Sequence, residues 1–109
     1  HKYIFIGTLT CRGFQSVETM SFLTCMKIKY PGHIILMRGK YDAENQGKIY
    51  GFYDEVLHKY GNANVFNYFC DLMSFFPLGS IIDNKILCMH GGLTPDLKTI
   101  DQIRGLNRF

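Results

Sequence analysis

The sequence predicts an α/β layered domain, and three observations lead there. Short β-rich apolar runs alternate with longer amphipathic stretches along the 109 residues. Apolar residues make up 47% of the chain and aromatics 15%, enough to pack a core rather than leave the chain disordered. Glycine-bearing loops follow three of the predicted strands. In open α/β sheets, ligands bind at the edge formed by such loops at the carboxyl ends of strands.

Each element has its own signal. Residues 3–6 form a short strand that stops at Gly7. Over residues 16–30, apolar side chains at Val17, Met20, Phe22, Leu23, Met26 and Ile28 recur at close to helical spacing. Residues 33–37 form a second strand ending at Arg38 and Gly39, and a polar loop is expected over 40–48. Helices follow over 51–60 and 64–75, and Pro77 breaks the second of them. Residues 78–82 and 86–89 form a hairpin across Asp83-Asn84-Lys85, a tight-turn sequence. His90-Gly91-Gly92 comes next, and Thr94-Pro95-Asp96 is expected to open a final short helix with a capping hydroxyl and a proline.

Composition narrows the function. The formal charge of +3 comes from 12 basic and 9 acidic residues scattered without a basic run, so nucleic acid is not an expected partner. Apolar stretches fall far short of the roughly 20 residues a membrane span needs, so no membrane association is expected either. The start His1-Lys2-Tyr3 is neither a signal peptide nor an initiator methionine, which suggests a chain that begins inside a larger protein. Cys11, Cys25, Cys70 and Cys88 lie far apart with no CxxC pair. They read as free thiols in a reducing compartment, cytoplasmic or nuclear.

Loops 7–13, 39–42 and 90–92 each leave the carboxyl end of a strand, and their glycines permit close backbone approach. A histidine beside two glycines at a strand end can present its ring to a metal, although a lone histidine there is more often structural.

Longer stretches are more specific. Tyr50-Gly51-Phe52-Tyr53-Asp54-Glu55, then Lys59-Tyr60-Gly61-Asn62-Ala63-Asn64-Val65, and later His90-Gly91-Gly92-Leu93-Thr94-Pro95-Asp96 with Asp101-Gln102-Ile103-Arg104 resemble phosphoprotein phosphatase catalytic subunits. Within that family the chain is most similar to the type 2A, 4 and 6 branch, given its Tyr-Gly-Asn-Ala-Asn segment and the Ser16-Val17-Glu18-Thr19 that opens the first helix. The resemblance implies part of a calcineurin-like metallophosphoesterase β-sandwich flanked by helices, incomplete here, in one partial domain over residues 1–109. It also implies hydrolysis of phosphoserine and phosphothreonine by two divalent metals, manganese, iron or zinc, about 3.5–4 Å apart.

Against the family's GDxVDRG block this chain reads Gly7-Thr8-Leu9-Thr10-Cys11-Arg12-Gly13. Thr8 stands where the resemblance implies a metal-bridging aspartate, and Cys11 where it implies the acid that orients the general-acid histidine. Against GNHE the chain reads Gly39-Lys40-Tyr41-Asp42. An ammonium at Lys40 replaces a neutral amide ligand and repels a divalent cation. The Tyr41 phenol, of ordinary pKa about 10, is a poorer proton donor near neutral pH than the implied histidinium. Arg12 matches a phosphate-gripping arginine, with an ordinary salt bridge as its other reading. His90 matches a metal-binding histidine, and Tyr50 an aromatic of the substrate groove or else a core residue.

The implied GDxHG block would lie upstream of His1, and further histidines and a second phosphate-binding arginine beyond Phe109. The expectation is therefore a fragment or truncated relic that binds metal weakly or not at all and is marginally stable or needs a partner. Three functions stay open. The first is an inactive pseudophosphatase that binds phosphoproteins or regulatory and scaffold subunits, with Arg12 and Lys40 holding phosphate. The second is a working phosphatase when missing segments are supplied. The third is a purely structural piece.

Overall fold

A computed structural model describes residues 1–108. The chain runs β1 (Tyr3–Phe5), α1 (Ser16–Lys29), β2 (Ile34–Leu36), α2 (Glu44–Ile49), α3 (Phe52–Tyr60), α4 (Asn64–Ser74), β3 (Gly79–Ile82), β4 (Ile86–Met89) and α5 (Ile100–Arg104). This is the α/β alternation that the sequence predicts.

Helix α1 is the crossover of a βαβ unit, which is what two adjacent parallel strands require. β1 and β2 pair in parallel, with Tyr3 opposite Ile34 and Phe5 opposite Leu36. The helix buries Val17, Met20 and Leu23 on one face, at the three- and four-residue spacing of an amphipathic helix. No side chain of its own caps it. Instead the Glu55 carboxylate on α3 accepts from the Ser16 and Val17 backbone N–H groups at 3.0 and 2.9 Å, satisfying donors that a helix start leaves free. Lys59 bridges Glu55 and Glu18 and ties the same two helices together.

Phe52, Val56 and Phe66 are fully buried between α3 and α4, with the Phe52 ring 5.6 Å from both Phe66 and Phe69. Burial of such rings is the main apolar contribution to the core. Strands β3 and β4 form the expected hairpin, registered from Gly79 opposite Met89 to Ile82 opposite Ile86. Its turn closes with the Lys85 N–H on the Ile82 carbonyl at 3.0 Å, and Asp83 and Asn84 take φ of 50° and 53°. Short polar side chains tolerate that left-handed conformation. The Arg38 N–H donates to the Pro77 carbonyl at 3.0 Å and joins the end of β2 to the start of the hairpin.

Two expectations need correction. Residues 40–48 are not all loop, because α2 begins at Glu44. Its polar sequence carries no apolar period, and packing makes it helical: Gly47 is buried so closely on Phe66 that a Cβ would come within 2.9 Å of the ring. Nor does Thr94 open a helix. Residues 94–97 make a single turn, with the Leu97 N–H on the Thr94 carbonyl, and α5 starts only at Ile100, behind Thr99 and Gln102, which form a reciprocal capping box. None of the four cysteines is disulfide-bonded, and among the described residues no helix is long and apolar enough to cross a membrane.

Candidate functional site

Two glycines decide how the site is built. Gly7, at φ +124°, and Gly39 meet backbone to backbone: a Cβ on Gly39 would lie 2.1 Å from the Thr8 nitrogen, and one on Gly7 would lie 2.5 Å from the Gly39 Cα. Only residues without a Cβ fit there. The loop after β1 and the loop after β2 are thereby pressed together.

Asp42 fastens them. Its side chain is 1% exposed, and each oxygen accepts two hydrogen bonds. Oδ2 accepts from the Thr8 and Gly39 N–H groups at 2.9 and 2.8 Å. Oδ1 accepts from the Leu9 N–H at 3.0 Å and the Thr10 hydroxyl at 3.2 Å. A buried carboxylate is tolerated when it is satisfied in this way. Sequence reasoning assigned Asp42 no role, because three of its four donors lie more than 30 residues away.

The third loop closes on the other two through His90. Its Nε2 is 2.6 Å from the Thr8 hydroxyl, and its Nδ1 accepts from the Lys40 N–H at 3.1 Å. A backbone N–H can only donate, so Nδ1 is the bare nitrogen, and in the neutral ring the proton sits on Nε2 and is donated to Thr8. Thr8 and Cys11 both adopt positive φ, 56° and 74°. For a β-branched residue such as Thr8 this is a strained conformation.

Beside this junction lies a second cluster. Arg12 donates to the Tyr41 hydroxyl at 2.8 Å, and its Cζ stands 4.8 Å from the Tyr41 ring centroid and 5.4 Å from that of Tyr50. The two tyrosines meet edge to face at 4.8 Å. The Arg12 hydrogen bond holds the Tyr41 phenol below its ordinary value. Lys40 Nζ approaches the same ring to 5.7 Å. Among the described residues neither Arg12 nor Lys40 forms a salt bridge. Tyr50 is partly exposed in this cluster and is not a core residue. Cys11 is buried behind it, with Sγ donating to the Tyr41 carbonyl at 3.4 Å, and burial pushes its thiol up.

The profile of the calcineurin-like phosphoesterase family matches residues 1–109. The chain belongs to this family. It is 47% identical over 108 residues to the serine/threonine-protein phosphatase 4 catalytic subunit of Kluyveromyces lactis, and 49% over 107 residues to that of Saccharomyces cerevisiae. These alignments take in 99% and 98% of this chain but 35% of each relative, so the chain spans about a third of their length. A solved protein serine/threonine phosphatase from Saccharomyces cerevisiae superposes with a TM-score of 0.93 at 37% identity, over 100% of this chain and 35% of that one. The phosphoprotein phosphatase relationship and the calcineurin-like fold thus stand on both sequence and structure.

A calcineurin-like phosphoesterase implies divalent metals, and the donors at this junction can be set against that need. A two-metal centre calls for several carboxylates and imidazoles. Among the described residues no group of three or more His, Cys, Asp or Glu side chains is placed to hold a metal ion. Thr8 offers a neutral hydroxyl and Lys40 an ammonium, His90 has both ring nitrogens in hydrogen bonds, and Asp42 spends both oxygens on the loops. The residues present here do not fit the metal pair.

Proposed function

We propose that this chain is a phosphatase-family module that binds phosphoserine or phosphothreonine proteins without hydrolysing them. One juxtaposition carries the reading. The junction of Thr8, Lys40 and His90 is closed by its own hydrogen bonds, while beside it Arg12 and Lys40 present cations with no carboxylate partner among the described residues.

The chemistry on each side supports it. A guanidinium and an ammonium together suit a phosphate dianion, through charge-assisted hydrogen bonds. Thr8 and His90 do not form a nucleophile and base, because the Lys40 N–H on Nδ1 leaves the ring proton on Nε2, which therefore cannot accept one from the threonine. Tyr41 has its hydroxyl committed to Arg12. The relatives' name supplies the substrate class, serine/threonine phosphoproteins, and their designation as catalytic subunits motivates a regulatory or scaffold subunit as a second kind of partner. The four unpaired thiols suit a reducing compartment, cytoplasm or nucleus.

Calorimetry with a phosphoserine peptide tests the reading. Wild type binds, and an Arg12→Ala, Lys40→Asn double variant does not. A wild type that fails to bind, or a double variant that binds equally well, refutes it.

A further inference from the structure

The phosphate reading leaves one side chain unexplained. Tyr41 has both cations close to its ring, and its hydroxyl takes up a terminal nitrogen of Arg12 at 2.8 Å. A terminal guanidinium nitrogen is one of the donors that would face a phosphate oxygen in a bidentate grip. The contact is exposed, so an arriving ligand meets it directly. Tyr50 abuts the Tyr41 ring edge to face and also lies under Arg12, so the guanidinium rests against two rings while the phenol oxygen faces its donor.

We infer that Tyr41 is an autoinhibitory competitor at the anion site: its hydroxyl occupies Arg12 in the free chain, and a phosphate monoester must displace it to bind. This rests on the phosphate-binding reading above. Burial hides neither partner, so the contact is a modest one that a dianion can replace. The aromatic rings have a separate role, since cation–π contact orients the guanidinium whether or not the hydroxyl is there. Tyr41 thereby sets the affinity threshold of the site while Tyr50 and the Tyr41 ring keep Arg12 in place.

The discriminating variant is Tyr41→Phe, which keeps the ring contacts and removes only the competing oxygen. Titrations with a phosphoserine peptide and with inorganic phosphate should both show Tyr41→Phe binding more tightly than wild type, by about two- to fivefold, the range an exposed contact allows. Equal affinity of the two proteins leaves the phosphate reading standing and overturns the competition alone. Weaker binding by Tyr41→Phe also overturns it, because the hydroxyl would then be a ligand of the phosphate. If neither protein binds, the phosphate reading itself fails and the competition falls with it.

Discussion

Thr8 offers the sharpest test of how this junction is held. Its φ of 56° puts a β-branched residue in the left-handed region, where a non-glycine L-residue carries about 1–2 kcal/mol of strain. Asparagine visits that region readily, and its side-chain oxygen can accept from His90 Nε2 as the threonine hydroxyl does. Thr8→Asn should therefore relieve strain without giving up the hydrogen bond, a net gain of about 1 kcal/mol. In a chain of this length that corresponds to a rise in Tm of about 5 °C. The Thr8 N–H bond to Asp42 is a backbone contact and is unchanged by the substitution. Urea unfolding followed by circular dichroism measures the gain, and the same increment should appear in a His90→Ala background, because the strain belongs to the backbone. A lower or unchanged midpoint, or a gain that vanishes without His90, refutes the reasoning.

Other perturbations give equally definite outcomes. Asp42→Asn replaces one oxygen by an amide that cannot accept from the buried N–H groups, and should cost about 3 kcal/mol in the urea midpoint. Gly39→Ala drives a Cβ into the Thr8 nitrogen and should destabilise by about 3 kcal/mol or more by the same measurement. For Glu55, burial acts to raise the carboxyl, but the hydrogen bonds from Lys59, Val17 and Ser16 outweigh it and hold the group below its ordinary value of 4.5. A depressed folded value means the contribution is full above pH 4.5 and is lost as pH falls from there through the folded value. Acid titration of stability should show that loss in wild type, with a shallower slope in Glu55→Gln; the remaining slope includes Glu18, which its hydrogen bond from Lys59 also holds low.

Legibility in the sequence followed local chemistry. The strands at Tyr3 and Ile34, the helix over Val17, Met20 and Leu23, and the Asp83-Asn84 turn each carry a period or turn signal within their own few residues. Helix α2 has no such signal, since Glu44, Asn45, Gln46 and Lys48 are polar and its one buried anchor is a glycine against Phe66. At residue 94 a threonine and proline imitate a helix start, while the pair that caps a helix, Thr99 and Gln102, stands further on. The glycines at 7, 39, 91 and 92 mark the loops that build the site. What they cannot mark is who meets whom. Arg12 and Tyr41 are 29 residues apart, and Asp42 reaches donors on a loop more than 30 residues before it. Tyr50 joins Arg12 from just beyond α2, the helix without a sequence signal.

The proposed function requires that this chain bind a phosphate monoester without hydrolysing it. Phosphorus NMR of a phosphoserine peptide incubated with the protein measures binding, and a parallel incubation with manganese, chelated before the spectrum is taken, measures hydrolysis. A phosphoserine resonance that shifts or broadens on binding, with no inorganic phosphate appearing above the blank, is the predicted result. Manganese-dependent release of phosphate that disappears in His90→Ala would contradict it.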